Sequence, residues 1–304
     1  MSVRKLMYVI CILFLFVWGT SCDSEPTPPP SFTDSLMNPF GLAAVSDSAS
    51  PTFVDIDGDG DFDAFIGDGN GDMIFYKNLG VKSSPAFDTP QTNPFGFINM
   101  TVYIAPTFVD LDDDSDFDAV IGTNDNNIHF VENTGTNTTP SFGAPQINPF
   151  GLTGQPFLAY PVFVDIDDDG DFDAFTGAQF IGTPMIQYFE NTGTSSDPDF
   201  DDPVDNPFGL TAGPHNVGID LTDIDLDGDY DVFTVDDDGM IRFYENIGTK
   251  SNIDLADPVE NPFGLSATTS LIIPVFVDID NDRDFDLFVG DYNGNVHFFE
   301  NTQF

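Results

Sequence analysis

The chain has 304 residues, 40% of them hydrophobic and 14% aromatic, with 33 Phe against a single Trp. Its 52 acidic and 7 basic residues give a formal charge of -45, which excludes nucleic acid and anionic lipid as electrostatic partners because both would be repelled. The apolar content suffices for a packed core, so the acidity marks a solvated surface or cation binding rather than disorder, and the spacing of the acids decides which.

Residues 1–21 read as a signal peptide. Arg4 and Lys5 form a positive segment, Leu6 to Val17 an apolar stretch too short to span a bilayer, and Gly19, Thr20 and Ser21 a small-residue site. The following Cys22 makes the segment resemble a bacterial lipoprotein signal, although Gly19 stands where such signals carry an aliphatic residue. The resemblance implies lipid attachment at Cys22 and an outer-membrane or cell-surface location, with secreted or periplasmic protein as the alternative. Residues 22–30 form a tether: Asp23-Ser24-Glu25 resembles the acidic tags of surface-exposed lipoproteins, and Pro26 to Pro30 is a stiff spacer. Cys11 leaves with the signal, so no internal disulfide can form, and a metal is the cross-link left to an exported domain.

Residues 31–304 are a repeat. Asn-Pro-Phe-Gly recurs at Asn38, Asn93, Asn148, Asn206 and Asn261, at intervals of 55, 55, 58 and 55 residues. In the first copy Thr52-Phe53-Val54-Asp55, Phe62 to Ile66 and Ile74-Phe75-Tyr76-Lys77 alternate with period two and are bounded by Gly, Asp and Asn. A fourth, weaker strand is expected near Phe87. The third strands end at Asn78, Asn133, Asn191, Asn246 and Asn301, and the extra residues of the third copy fall between Gly177 and Ile186. Beyond the signal no apolar pattern runs long enough for a helix. The last copy stops at Phe304 without its fourth strand, while Ser31 to Met37 is an orphan fourth strand ahead of the first copy. Pairing the two buries both edges. The predicted fold is all-β, a closed five-bladed β-propeller of four antiparallel strands per blade, the last blade completed by the N-terminal strand.

Between the first two strands of each copy lies an aspartate loop. In the first, Asp55, Asp57 and Asp59 hold positions one, three and five, Gly60 position six, Asp61 seven and Asp63 nine. The matching acids are Asp110, Asp112, Asp114, Asp116 and Asp118 in the second loop, and Asp165, Asp167, Asp169, Asp171 and Asp173 in the third. They are Asp223, Asp225, Asp227, Asp229 and Asp231 in the fourth, and Asp278, Asp280, Asp282, Asp284 and Asp286 in the fifth. Alternating carboxylates on a tightly turning backbone aim oxygens at one ion, Gly at six permits the turn, and position seven commonly adds a backbone carbonyl. Such an all-oxygen, flexible cage suits calcium better than zinc or magnesium. One loop would be an ordinary acidic turn. Five at matched spacing would hold mutually repelling charges unless a cation neutralised them, so up to five calcium ions are expected. Ser115 and Arg283 replace Gly at position six, and a non-Gly residue at positive φ costs about 1 kcal/mol. Arg283 also brings positive charge, so the fifth site is expected to be weakest and the second intermediate.

The run from Phe53 to Gly67, FVDIDGDGDFDAFIG, resembles the FG-GAP/VCBS repeat of integrin α-chain propellers and many bacterial surface proteins. The resemblance extends over residues 31–304 and implies a calcium loop joining the first two strands of each blade. Integrin propellers have seven blades, where this chain has five copies. An EF-hand is excluded, since helices are lacking and position twelve is Ile66, Ile121, Thr176, Thr234 or Val289, never Glu.

No catalytic motif stands out, and no enzyme activity is expected. His129 and His297 occupy equivalent strand positions, matched by Ile74, Gln187 and Arg242, which reads as a solvated or lightly covered face. The connections following each Asn-Pro-Phe-Gly vary and fall on the propeller face opposite the loops. Phe180, Ile181, Tyr103, Phe157 and His215 are the candidate partner-binding residues there. The expected function is a monomeric, non-catalytic, calcium-binding propeller that adheres to an extracellular protein or glycan and meets the membrane only through its N-terminal lipid. A polysaccharide-acting enzyme and a structural scaffold are the alternatives.

Overall fold

The computed structural model describes residues 28–100, 103–154, 159–178, 185–213, 217–236, 238–265 and 271–303. The signal peptide, Cys22, Phe157, Phe180, Ile181 and His215 lie outside the described residues.

Five four-stranded antiparallel sheets form the molecule, one per repeat. In blade one the inner strand Ser50–Val54 pairs with Asp63–Gly67, which pairs with Met73–Tyr76, which carries the outer strand Gln91–Thr92. Each inner strand touches the inner strands of both neighbouring blades, that of blade five meeting that of blade one, so the ring is closed. In blade five the inner strand Leu271–Val277, Asp286–Asp291 and Val296–Phe299 are completed by Leu36–Met37 from the other end of the chain. Leu36 stands opposite Phe298 and Met37 opposite His297, while Phe32 bridges Asn301. The predicted closure is therefore found.

The outer strand differs from expectation in place. Gln91–Thr92 forms it, and Phe87 makes only an isolated bridge to Asn78. Both outer-strand residues are exposed, so they carry no alternation that a sequence could display.

Asn-Pro-Phe-Gly extends each outer edge. All five asparagines are left-handed, with φ between 47 and 50°, a conformation Asn tolerates better than most residues. Asn93 donates its N–H to the Met73 carbonyl at 2.7 Å, and its Oδ1 accepts the Met73 N–H at 2.8 Å. The same pair recurs at Asn38 with Val296, Asn148 with Ile128, Asn206 with Ile186 and Asn261 with Ile241. The following Phe turns back edge-to-face onto the third strand, Phe95 on Phe75 at 5.0 Å and Phe40 on Phe298 at 5.0 Å. Such a pair adds about 1 kcal/mol beyond the area it buries. The Phe40 carbonyl then accepts the Phe87 N–H of the next blade at 2.9 Å, so the motif links neighbours.

The core is divided among the blade interfaces. Phe53 of blade one packs on Phe288 of blade five at 4.3 Å, Phe108 on Phe65 at 4.5 Å and Phe276 on Phe233 at 4.3 Å. Phe65, Phe175, Phe233 and Phe288 are wholly buried. This is where the chain's abundant Phe is spent: flat rings fill the wedge between two twisted sheets.

Candidate metal centres

Each aspartate loop leaves the end of an inner strand and re-enters at the first residue of the second, Asp63 in blade one. To reverse within that span the backbone turns left-handed twice. Position six does so at Gly60 (φ 93°), Ser115 (76°), Gly170 (99°), Gly228 (101°) and Arg283 (85°), so Ser115 and Arg283 are strained as the sequence implied. Position four does so as well, at Gly58 (69°), Asp113 (58°), Asp168 (63°), Leu226 (63°) and Asn281 (60°), a constraint the sequence reading missed.

The turn gathers carboxylates. One oxygen from each of positions one, three and five lies within 4.8 Å of the other two in all five loops: Asp55, Asp57 and Asp59; Asp110, Asp112 and Asp114; Asp165, Asp167 and Asp169; Asp223, Asp225 and Asp227; Asp278, Asp280 and Asp282. The outer oxygen of position one is used by the loop itself, Asp55 accepting the Gly60 N–H at 2.9 Å and Asp278 the Arg283 N–H at 3.3 Å. Positions seven and nine stand outside these triplets but beside them. Asp63, Asp118, Asp173, Asp231 and Asp286 at position nine are buried in the blade, each Oδ1 accepting the N–H of the closing Asn at 2.7 to 2.8 Å. The third strands end two residues before the expected Asn, at Tyr76, Val131, Phe189, Tyr244 and Phe299, and that bond explains the Asn standing just beyond each of them.

The second oxygen is left over. Asp63, Asp118, Asp231 and Asp286 are at most 2% exposed, and the Oδ2 of each is buried without a hydrogen-bond partner. Asp173 is equally buried and has the Tyr188 hydroxyl beside it. At position seven the Oδ1 atoms of Asp61, Asp116, Asp171 and Asp229 are buried and unpartnered too, so the side chain there points inward where a backbone carbonyl was expected to serve. Burial pushes the Asp63, Asp118 and Asp173 carboxyls up to about 7 and those of Asp231 and Asp286 up to about 8, with the loop carboxylates adding repulsion. Unpaired buried carboxylates are costly. A hard cation coordinated by oxygen removes that cost, and these donors fit it: all are oxygens, on a flexible loop, without nitrogen or sulfur.

Residue 77 breaks the symmetry. The residue before each closing Asn is Glu132, Glu190, Glu245 or Glu300, but in blade one it is Lys77. The Lys77 ammonium is ion-paired with Asp57 and lies 3.2 Å from Asp59. Glu132 raises the carboxyls of Asp112 and Asp116, behind burial as the main cause, and Glu245 and Glu300 act alike on Asp229 and Asp280. The sequence reading passed over this column because each residue, taken alone, is an ordinary strand end.

The opposite ends of the blades hold carboxylates of another kind. Asp68, Asp236 and Asp291 each accept two backbone N–H groups of their own hairpin at 2.8 to 3.1 Å. Their other oxygens accept from the Ser46 hydroxyl at 2.7 Å, Arg242 at 2.8 Å and the His297 ring at 3.0 Å. In blade two Asp125 pairs with His129 at 3.1 Å. His129 and His297 are 7% and 8% exposed, so of the two alternatives, solvated or lightly covered, the covered one holds: the outer strand and the hairpin carboxylate cover the ring. Burial opposes ionisation of Asp125 and Asp291, yet Thr123 and His129 in the one, and His297 and Asn295 in the other, hold the carboxyl below its usual range.

The variable connections do pack at this end, where Ser46 meets Asp68 and Tyr103 donates its N–H to Gly69 at 3.2 Å. Tyr103 is 36% exposed and left-handed at φ 58°. The loop face is not bare either. A concavity of about 680 Å3 there is lined by Phe62, Phe117 and Phe285, the aromatic residues at position eight of three loops. On the axis, Asp220 stands where other blades place Thr52, Thr107, Val162 and Val275. It accepts the Phe276 N–H of blade five at 2.6 Å, and burial pushes its carboxyl up to about 7.

Solved structures resemble this ring only at the level of fold. The Tc holotoxin pore of Photorhabdus luminescens aligns over 92% of the chain at 13% identity with a TM-score of 0.44, and the chain spans 15% of that toxin chain. BBS1N in complex with ARL6DN aligns over 90% of this chain and 96% of its own at 10% identity and a TM-score of 0.42. The exotype rhamnogalacturonan lyase YesX aligns over 88% of this chain and 43% of its own at 10% identity and a TM-score of 0.30. Likenesses of this size say nothing of activity. No protein-family model matches the chain, and no curated protein does.

Proposed function

We propose that the five loops bind calcium and that the ions act as internal staples of a non-catalytic binding propeller. One observation carries the reading: buried, unpartnered carboxylate oxygens recur at position nine beside a triplet of further carboxylates, in loop after loop. A coordinated dication turns that array from mutual repulsion into a cross-link. The positions holding it would be the triplet of each loop, the buried Asp at nine and the inward Asp at seven. The motif resemblance to FG-GAP/VCBS repeats supports calcium as the ion.

In this reading the protein is exported and carried at the cell surface, through a lipid on Cys22, and its ligand is an extracellular protein or glycan. The blade ends opposite the loops form the contact face, since their connections differ from blade to blade while the loops are copied. A non-catalytic role is supported by His129 and His297, each of which pairs with a carboxylate engaged in hairpin bonds. Calcium titration of chelator-treated protein tests the metal reading, with a large rise in melting temperature expected; no bound calcium and no shift would end it. Glycan and protein binding screens with and without chelator test the ligand, and turnover of a polysaccharide would overturn the non-catalytic assignment.

A further inference from the structure

We infer that Lys77 is the resident cation of the first aspartate loop, leaving that loop the weakest calcium site of the ring. The inference rests on the calcium reading above and deepens it, because it assigns different affinities to loops that share their aspartates.

The geometry is specific to blade one. Lys77 directly follows the third strand, next to Asn78, whose N–H is held by Asp63, so the side chain is delivered to the loop's edge. Its ammonium engages Asp57 and Asp59, two of the three carboxylates of the triplet. Asp57 and Asp59 thus have a cationic partner before any ion arrives. At the same register the other blades carry Glu132, Glu190, Glu245 and Glu300. Exchanging Glu for Lys changes the charge facing the ion by two units. Calcium loops tune affinity through the number of negative charges around the ion and the rigidity of the site.

Judged on its backbone, the first loop would rank best, with glycine at both left-handed positions, Gly58 and Gly60. Strain at Ser115 or Arg283 belongs to the folded loop and enters the stability of the fold. The charge at residue 77 acts on the ion itself. Arg283, though cationic and in a loop, is exposed, whereas Lys77 makes ion pairs with the carboxylates. The charge therefore outranks the glycines, and the first loop falls below the fifth.

The test is calcium binding to the full chain, measured by equilibrium dialysis and calorimetry with calcium alone as the probe. Four tight sites and one at least about tenfold weaker are expected, and Lys77→Glu should make the first loop as tight as the other four. In the unaltered Lys77 background, Asp278→Ala should remove a tight site and Asp55→Ala should remove none. This second pair decides the matter if Lys77→Glu fails to fold. Five equivalent sites in the parent chain, or a tight site lost with Asp55→Ala, would overturn the inference and leave the calcium reading standing. Absence of bound calcium in every variant would overturn both.

Discussion

The two ends of each blade solve one problem in opposite ways. Both bury aspartates. At the hairpin end the protein supplies the partners itself, and among the four blades described there the partner varies: a serine hydroxyl for Asp68, a histidine for Asp125 and for Asp291, an arginine for Asp236. At the loop end the solution is copied through the ring and is incomplete, with carboxylate oxygens buried and unpartnered. The carboxyls report the difference, held low at Asp125 and Asp291 and pushed up to about 7 or 8 at position nine. A self-satisfied site can drift in sequence because any donor will serve. On the calcium reading proposed above, the loop site is completed from solution and cannot drift, because the ion would demand the same oxygens each time.

The largest expected effect is calcium removal. Each occupied site contributes about 2.7 kcal/mol at one hundred times its dissociation constant, so chelation should lower the melting temperature strongly in scanning calorimetry. The next is a reversal of sign. Asp286→Asn should cost roughly 3 kcal/mol in saturating calcium, by loss of a site, and should stabilise the protein in chelator, where the buried charge is only a burden. A loss of stability in both conditions would show that Asp286 serves the fold alone.

The pH response sharpens the contrast. Position-nine carboxyls titrate near 7 to 8 in the fold against 3.8 ordinarily, so the folded chain without calcium holds more protons than the unfolded chain between these limits. Its stability should therefore fall as pH rises from about 4 to about 8, while calcium affinity rises over the same window as the ion displaces those protons. Urea unfolding in chelator across that range measures the first trend. At the hairpin end Asp291→Ala should cost about 2 kcal/mol equally with and without calcium, since it orphans backbone N–H groups rather than an ion. The smallest effect belongs to the strained turns: Ser115→Gly and Arg283→Gly should each gain about 1 kcal/mol, read from thermal unfolding.

Repetition made the ring and the loops legible. A motif copied at fixed spacing displays its aspartates and its blade count without any structure, while the left-handed Asn, the bond from the Asp at nine to the closing Asn and the left-handed position four came only with the fold. Much of what else stayed hidden differs between copies. Lys77 looked like a strand end until its ammonium was found on Asp57 and Asp59, and the signal was a Lys in a column of Glu. The sequence left His129 and His297 open between a solvated and a lightly covered face because the carboxylates that cover them lie in hairpins, off the strand pattern. The outer strand was misplaced because two exposed residues, Gln91 and Thr92, have no period to read.

The seam in blade five sets the order in which the molecule can be finished. Ser31 donates its N–H to the Asn301 side chain, a contact 270 residues long in sequence, and Thr302 donates its own to the Ser31 carbonyl. A chain made from its N-terminus must therefore carry Leu36–Met37 unpaired until Val296–Phe299 has emerged. Four blades can assemble in passing, but the clasp waits for the fifth, and deleting Leu36–Met37 or Val296–Phe299 leaves the ring unclasped.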